Sequence, residues 1–297
     1  MAIDLATKYL PATDEIFATE SKKSLLTNHD FDWTGAHSIK IYSVTTASMN
    51  DYDRAGTGEN VSRYGPIQGL DATTQEMTLK KDRSFTFAID TLDADETAMQ
   101  LAGATALARQ QREVVIPEVD TYTLDLMCKG AGNKPAATKL TTANIYTQII
   151  TGSAALDNAE APDSNRVLVV TPDTLLLMKQ NSTITMNSDI GAELRKQGVV
   201  AMLDGLYVMK VPANRLPKNF GFMIAHPCAT VAPTKLEEYL VHKNPPFING
   251  DLVEGRIVYD AFILNNKKKA IYYQENKVEE EPDSPDKGEG DGPGDGA

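Results

Sequence analysis

The feature that most constrains this chain is a long polar stretch, residues 45–78, between two strand-like segments. It includes the run NDYDRAGTGENVSRYGPIQG and has no apolar periodicity that would bury it against the chain's own core. A loop well beyond about 15 residues is uncommon in a compact domain unless it has a function. The flanking segments, 38–44 (SIKIYSV) and 77–89 (MTLKKDRSFTFAI), have strand character, so we predict that they pair as a long projecting hairpin. A projecting hairpin needs a partner to bury it.

The composition excludes several classes of protein. The 297 residues are 41 % apolar and 24 % charged, as in a soluble globular chain that is long enough for one large or two modest cores. No run approaches the roughly 20 apolar residues of a membrane-spanning helix, and the first residues lack a secretory signal pattern. The net charge of −12 argues against a protein that grips phosphate backbones. We expect a folded protein that is made in the cytoplasm.

The acidity is concentrated at one end of the sequence. Residues 275–297 carry nine acidic side chains against Lys277 and Lys287, which leaves a charge of −5 for the rest. Because this segment is rich in Pro, Gly and acid and has nothing to bury, it is predicted to be a disordered acidic tail. Residues 1–37 are also irregular apart from a short amphipathic possibility at 14–26, and are predicted to be an extended arm.

Between these ends, helical and strand periodicities alternate and predict the α+β class. One long, kinked helix or two in series is expected up to Gly130, with Asp93 and Glu96 as a capping pair and Pro117 beginning the second segment. Further helices are predicted at 142–156 and from Pro172. Strands are predicted at 166–170, on both sides of an Asp204-Gly205 turn, and at 220–225, 235–242, 252–264 and 270–274.

The chemical motifs have simpler structural explanations. The glycines of 56–65 match neither a P-loop nor a dinucleotide-binding pattern, and a hairpin tip explains them better. The carboxylates of 90–96 would suit a divalent cation, but acids near a helix N-terminus are favoured by the helix dipole alone. Cys128 and Cys228 stand alone, and no nucleophile lies in a recognisable motif with the four histidines. We predict no catalytic residue, metal site or cofactor.

The order of these features resembles that of the major capsid proteins of tailed bacteriophages with the Hong Kong 97-type fold. Several local runs resemble those of capsid proteins from phages and prophages of Gram-positive bacteria, and the resemblance spans roughly residues 38–274. The runs are KKDRSFTFAIDTLDADET from Lys80, IPEVDTY from Ile116, RVLVVTP from Arg166, LDGLYVMKVPANRLP from Leu203, IAHPCA from Ile224 and PPFINGDLVEGRIVYDAFIL from Pro245.

The resemblance implies a division of the chain into segments. These would be an N-terminal arm (1–37), an extension loop hairpin (38–90), a peripheral domain with the spine helix (91–132), an axial domain (133–230), a peripheral domain sheet (231–274) and the acidic tail (275–297).

The resemblance also implies a function. The protein would be a major capsid protein, a structural protein and not an enzyme, that self-assembles into hexamers and pentamers of an icosahedral phage head. The head would enclose double-stranded DNA without sequence-specific binding. It would assemble in the host bacterial cytoplasm, without involvement of a membrane, and the protein would be a component of the virion. Because the chain has no long N-terminal extension that would serve as a built-in scaffold, a separate scaffolding protein is implied, together with a portal. No crosslinking residue pair is predicted.

The projecting segments supply the candidate inter-subunit contacts. These are Trp33 in the arm, Asp51, Tyr52, Arg54, Arg63 and Tyr64 in the polar loop, and Lys80, Lys81 and Arg83 near the base of the hairpin.

Two alternatives remain open from the sequence. An encapsulin-like nanocompartment would use the same fold to enclose a cargo enzyme instead of DNA. A soluble enzyme or binding module would use the long loop as a lid over a pocket, and would need convergent polar groups that the sequence does not display.

Overall fold

The computed structural model describes residues 21–28, 30, 38–44, 46–56, 62–67, 69–96, 103–186, 194–195 and 198–277. These residues form a mixed helix and sheet fold, which confirms the predicted α+β class. The helices are α1 (Thr91–Glu96), α2 (Gly103–Gln110), α3 (Ile116–Lys129), α4 (Ile145–Asn158) and α5 (Pro172–Gln180). The strands are β1 (Ser38–Val44), β2 (Ala72–Thr78), β3 (Lys81–Asp90), β4 (Val167–Val170), β5 (Val199–Leu203), β6 (Leu206–Lys210), β7 (Phe220–Ala225), β8 (Thr230–Val231), β9 (Thr234–Lys243), β10 (Gly250–Tyr259), β11 (Phe262–Ile263) and β12 (Ile271–Glu275).

The largest sheet of the described part has the strand order β12-β7-β4-β6-β5. Only β4 and β6 run parallel, and the other neighbours are antiparallel. All four residues of β4 are buried because both faces of the sheet are covered, which explains its unbroken apolar run. One core includes Leu124 and Met127 of α3, and the other includes Ile145 and Ile149 of α4.

The turn between β5 and β6 confirms the hairpin predicted from the Asp-Gly pair. Asp204 and Gly205 both have positive φ, 46° and 80°. A two-residue turn with positive φ at both positions matches the right-handed twist of the strands it joins, and Asp-Gly is a preferred pair there.

The long helix predicted around Pro117 is present and is continuous over residues 103–129. A π-helical turn (Gln111–Val115) joins α2 to α3, and the Ile116 N–H donates to the Gln111 carbonyl. Since Pro117 has no N–H to donate, a wider turn just before it lets the helix continue. The expected start at Asp93 is wrong, because α1 begins at Thr91 and the Leu92 N–H donates to the Asp90 carboxylate at 2.9 Å.

The strand predicted at 77–89 is two strands in different sheets. β1 pairs antiparallel with β2, so the hairpin exists but its second limb lies at 72–78. β3 pairs instead with β10, in a three-stranded sheet of order β3-β10-β9. The chain changes sheet at Lys80, whose N–H donates at 2.9 Å to the buried carboxylate of Asp260.

The strands predicted at 252–264 and 270–274 also need correction. The first is interrupted after β10, because the Asp260 carboxylate accepts from the Ala261 N–H at 2.8 Å and turns the chain before β11. β12 pairs with β7 in the five-stranded sheet, so 231–274 does not form one peripheral sheet as expected. The first four residues of β12 are buried, because the strand is part of the larger sheet.

Candidate functional site: assembly surfaces

The base of the β1–β2 hairpin is packed against the last third of the chain. Met77 and Leu79 are buried in a small cluster with Val231 and Leu264. The Gln75 side chain adds two hydrogen bonds, because its amide donates to the Ile263 carbonyl and its carbonyl accepts from the Asn265 N–H, each at 2.9 Å. The base therefore holds the hairpin in a defined direction.

Beyond this base, the polar loop has local order of its own. The Asp53 N–H donates to the Arg63 carbonyl at 2.9 Å, so the two sides of the loop lie together. The Tyr52 and Tyr64 rings meet edge to face with centroids 5.1 Å apart. These contacts bring together Asp51, Tyr52, Arg54, Arg63 and Tyr64, the five loop residues that were predicted as inter-subunit contacts, and all five are exposed.

The loop also exposes apolar side chains that the sequence analysis did not single out. Met49 and Ile67 are 98 % and 92 % exposed, and Leu70 is 61 % exposed. Isolated apolar residues on a surface are ordinary, but three in one projecting loop, together with two tyrosines, make a surface of the kind that binds a partner. The sequence did contain a signal for this surface, because its apolar residues lie in a loop that has no core to bury them.

The other predicted contacts at the hairpin base are used within the chain. The Lys81 Nζ lies 4.9 Å from the centroid of the Tyr122 ring on α3. The Arg83 Nε pairs with Glu118 Oε1 at 2.8 Å. The side chain of Lys80 is exposed, whereas its backbone N–H is bound to Asp260. Trp33 lies outside the described residues.

Asp260 is the centre of the connection between hairpin, helix and sheet. Besides the N–H groups of Lys80 and Ala261, its carboxylate accepts from the Tyr122 hydroxyl at 2.7 Å. Burial, and then the hydrogen bond to this carboxylate, raise the pKa of Tyr122 well above its usual range. The phenol therefore remains a hydrogen-bond donor at every physiological pH.

A second buried carboxylate ties residues 21–22 to the helix. Asp120 of α3 is 0 % exposed and accepts from the Ser21 hydroxyl at 2.7 Å and the Lys22 N–H at 2.9 Å. It also pairs with the Arg215 guanidinium at 2.9 Å. Burial lowers the pKa of the neighbouring Lys23, and Asp120 opposes that shift. Ser21 and Lys22 are thus fixed against α3.

The turn between β9 and β10 presents a second exposed surface. Phe247 is fully exposed and has φ +72°, a left-handed conformation that is strained for a bulky residue. Leu240 of β9 is 52 % exposed. A strained backbone that holds an aromatic ring in solvent is a reason to suspect a contact with another molecule.

Among the described residues, metal-ligating side chains are not clustered. No group of three or more His, Cys, Asp or Glu side chains within them is placed to hold a metal ion, and none of their helices is long and apolar enough to span a membrane. Burial, with a smaller effect of Asp125, raises the pKa of the Cys128 thiol to about 12. That thiol is not a nucleophile at neutral pH.

The fold matches solved structures from tailed phages over nearly its whole length. A chain of Mycobacterium phage Che8 aligns with a TM-score of 0.63 at 18 % identity, covering 92 % of this chain and 98 % of that one. A chain of the capsid structure of the cyanophage P-SCSP1u has a TM-score of 0.66 at 12 % identity, covering 93 % and 94 %. A chain of the mature capsid of bacteriophage PhiM1 has a TM-score of 0.66 at 13 % identity, covering 91 % of each.

No protein-family model and no curated protein sequence matches the chain. At these low identities the structural likeness shows the fold alone. The chain has the fold of a tailed-phage capsid protein, as the sequence resemblance implied.

Proposed function

We propose that this chain is the major coat protein of a tailed-phage head. The observation that supports this most directly is the projecting loop at 46–70, which exposes Met49, Ile67 and two tyrosines although its base is firmly packed. A surface of this kind is stabilised only by contact with another molecule. In a shell of identical subunits, the partner is another copy of the same chain.

The finer assembly follows from the resemblance and belongs to the same proposal. The chain forms hexamers and pentamers of an icosahedral head, with a separate scaffolding protein and a portal. Assembly takes place in the host cytoplasm and the product is a part of the virion. The protein acts as a structural element without enzymatic activity.

The charge of the chain fits a container for DNA better than a DNA-binding protein. Tight phosphate binding depends on cationic contacts that release counterions, and the net charge of −12 does not favour such contacts overall. A shell that DNA enters and leaves must hold it without specific binding. We propose that the head encloses double-stranded DNA in this way.

The first experiment is size-exclusion chromatography and negative-stain microscopy of the purified chain, with and without the proteins of its neighbouring open reading frames. We expect rings or closed shells of many copies. Packaged DNA would support the phage head, whereas a protein cargo would indicate an encapsulin-like compartment. A stable monomer or dimer under every condition would contradict shell formation and favour a lid-bearing enzyme or binding module.

The role of the loop is tested by a matched pair of variants. The double substitution Met49→Ser and Ile67→Ser removes exposed apolar surface, so we expect unchanged thermal stability of the subunit and a large loss of assembled particles. The control, Met49→Leu and Ile67→Val, keeps the surface apolar and is expected to assemble. Equal particle yields from both variants would show that the loop is not an assembly contact.

A further inference from the structure

Three consecutive lysines form the most concentrated positive charge in the described structure. Lys267, Lys268 and Lys269 occupy a short 3-10 helix (Asn265–Ala270), and all three are exposed. Within the residues that the structure describes, none of the three forms an ion pair. In a chain with a net charge of −12, an uncompensated cluster of this kind needs an explanation.

The backbone of this cluster is held rigidly against the segment that follows α3. The Gly132 N–H donates to the Lys268 carbonyl at 2.9 Å, and the Asn133 side-chain amide donates to the Lys269 carbonyl at 2.7 Å. A Cβ on Gly132 would lie 2.5 Å from that Lys268 carbonyl, so only glycine permits the approach. The three ammonium groups therefore extend from a fixed support.

A fourth lysine lies on the same surface. The Asn133 N–H donates to the Ile271 carbonyl at 3.1 Å, which places Lys134 beside β12, and its Nζ lies 5.3 Å from the centroid of the Tyr273 ring. We call residues 134 and 267–269 the lysine cluster. The nearby carboxylate of Asp125 is already paired with Lys129 at 2.6 Å.

The chain supplies an acidic segment shortly after β12. Residues 278–297 carry eight acidic side chains against the single Lys287, a net charge of −7. They follow β12 after two intervening residues, and β12 begins next to the cluster and spans roughly 17 Å. A coil of twenty residues has a root-mean-square span of about 25 Å, so the acidic segment is long enough to return to the cluster.

We propose that the lysine cluster binds the acidic segment 278–297 of its own chain. The contact is electrostatic: carboxylates of the segment lie against ammonium groups held by the 3-10 helix. Tethering through β12 gives the segment an effective concentration in the millimolar range at the cluster, so individually weak ion pairs suffice. The segment thereby neutralises the positive surface that would otherwise attract DNA phosphates.

The same positive surface would suit nucleic acid, but the observations favour the tethered segment. DNA binding of useful strength needs several phosphate contacts, and the rest of the chain is acidic. The acidic segment has the complementary charge and is always present at high local concentration. Nucleic acid is therefore treated as a competing outcome of the test.

The test uses zero-length carbodiimide crosslinking of the full chain, followed by mass spectrometry. We expect crosslinks from Lys267, Lys268 and Lys269 to carboxylates of 278–297, at low salt and not at about 1 M, where the Debye length falls to ~3 Å. A mixture of ¹⁵N-labelled and unlabelled protein separates the two geometries. Crosslinks within one chain keep both peptides in one isotope form, whereas mixed pairs would place the segment on another copy and overturn the proposal.

Amine reactivity provides an independent measurement. Substitution of the acids of 278–297 by their amides should raise the acylation rate of the cluster lysines about two- to fivefold, as expected when a few exposed ion pairs are lost. The matched controls are the exposed Lys179, Lys210 and Lys235, whose rates should not change.

Two further results would overturn the proposal. One is crosslinking of the cluster no greater than that of the control lysines. The other is an acylation rate that ignores the acidic segment but falls when double-stranded DNA is added, which would identify a nucleic-acid surface. Neither result bears on shell formation, so failure of this proposal is distinguishable from failure of the proposed function.

Discussion

The side-chain carbonyl of Gln75 accepts a hydrogen bond from the backbone N–H of Asn265, 190 positions later in the sequence, at 2.9 Å. The amide end of the same side chain donates to the Ile263 carbonyl at the same distance. The side chain of Gln75 therefore satisfies two backbone groups and joins the projecting hairpin to residues 263 and 265. The direction in which the loop projects depends on this contact and on the burial of Met77 and Leu79.

Replacing Gln75 by Ala should loosen the hairpin. The Ile263 carbonyl and the Asn265 N–H lose their partners, so we expect a loss of about 1–3 kcal/mol in the free energy of unfolding. Hydrogen exchange should accelerate in β1 and β2 before the five-stranded sheet is affected. The exposed neighbour Glu76 gives the control, since Glu76→Gln should leave both measurements unchanged. Uniform acceleration in all sheets would contradict a local role.

Replacing Asp120 by Asn should destabilise the fold strongly. The buried guanidinium of Arg215 would lose this carboxylate, and losing one partner of a buried ion pair costs about 3–5 kcal/mol. Urea unfolding gives the measurement. The control is Asp125→Asn on the same helix, whose partner Lys129 is exposed and whose loss should cost less than about 0.5 kcal/mol. Similar midpoints for the two variants would show that the buried pair is unimportant.

Replacing Phe247 by Asn should separate subunit stability from assembly. Asparagine tolerates the left-handed backbone better than phenylalanine, so the free energy of unfolding should stay the same or rise by about 0.5–1 kcal/mol. The yield of assembled particles should nevertheless fall, because the exposed ring is lost. Phe247→Tyr retains an aromatic ring and should assemble. Full assembly of the asparagine variant would exclude this turn as a subunit contact.

His226 should make the stability of the subunit depend on pH. Burial lowers the pKa of His226, and the positive charges of Arg166 and Lys267 act in the same direction, while a backbone hydrogen bond with Ser164 opposes them. Its Nδ1 accepts from the Cys228 N–H at 3.1 Å, which requires the unprotonated nitrogen.

The sign of that dependence follows from the lowered pKa. The unfolded chain takes up the proton first, near its ordinary value of about 6.5, so stability is complete above this pH and is lost as the pH falls through the folded pKa. In His226→Asn the amide oxygen accepts the same hydrogen bond without titrating. Unfolding free energies measured from pH 7 to 5 should fall more steeply for the native chain. Parallel curves would rule out His226 as the cause.

Local patterns in the sequence predicted most elements of the fold. The alternating pattern of 38–44 matches β1, and the Asp204-Gly205 pair forms the turn between β5 and β6. The helix α5 begins at Pro172 as predicted, with Thr171 as its N-cap. Each of these signals lies within a few residues of the structure that it specifies. Periodicity and turn chemistry are sufficient in such cases.

The errors in the strand predictions involve contacts between distant parts of the chain. The run at 77–89 is uniformly strand-like, and only the hydrogen bond from Lys80 to Asp260 reveals where it changes sheet. Asp260 itself was a visible signal, because it is a carboxylate within an apolar run. Likewise, nothing local to 271–275 distinguishes a strand that pairs with β7 from one that pairs with β9 or β10.

The candidate inter-subunit contacts also divide into residues whose surroundings follow from local sequence and residues whose partners are distant in the chain. Composition was enough to indicate that Tyr52 and Tyr64 lie in a loop without a core of its own, and both are exposed there. It was not enough to show that Lys81 and Arg83 are engaged by Tyr122 and Glu118 of the same chain. Those partners lie on a helix whose position relative to β3 depends on the whole fold.

The pairing of β12 with β7 determines when the five-stranded sheet can be completed during synthesis of the chain. Because β7 precedes its neighbour β12 in the chain, the edge of β7 away from β4 has no strand to pair with until roughly fifty further residues have been synthesised. An open strand edge is a template for pairing with other chains, so the nascent subunit passes through a stage in which aggregation competes with folding. Once β12 is added, residues 133 and 138 form bridges with Tyr272 and Asn276 and cover the new edge. Completion of this sheet therefore ends the period in which the open edge of β7 can pair with another chain.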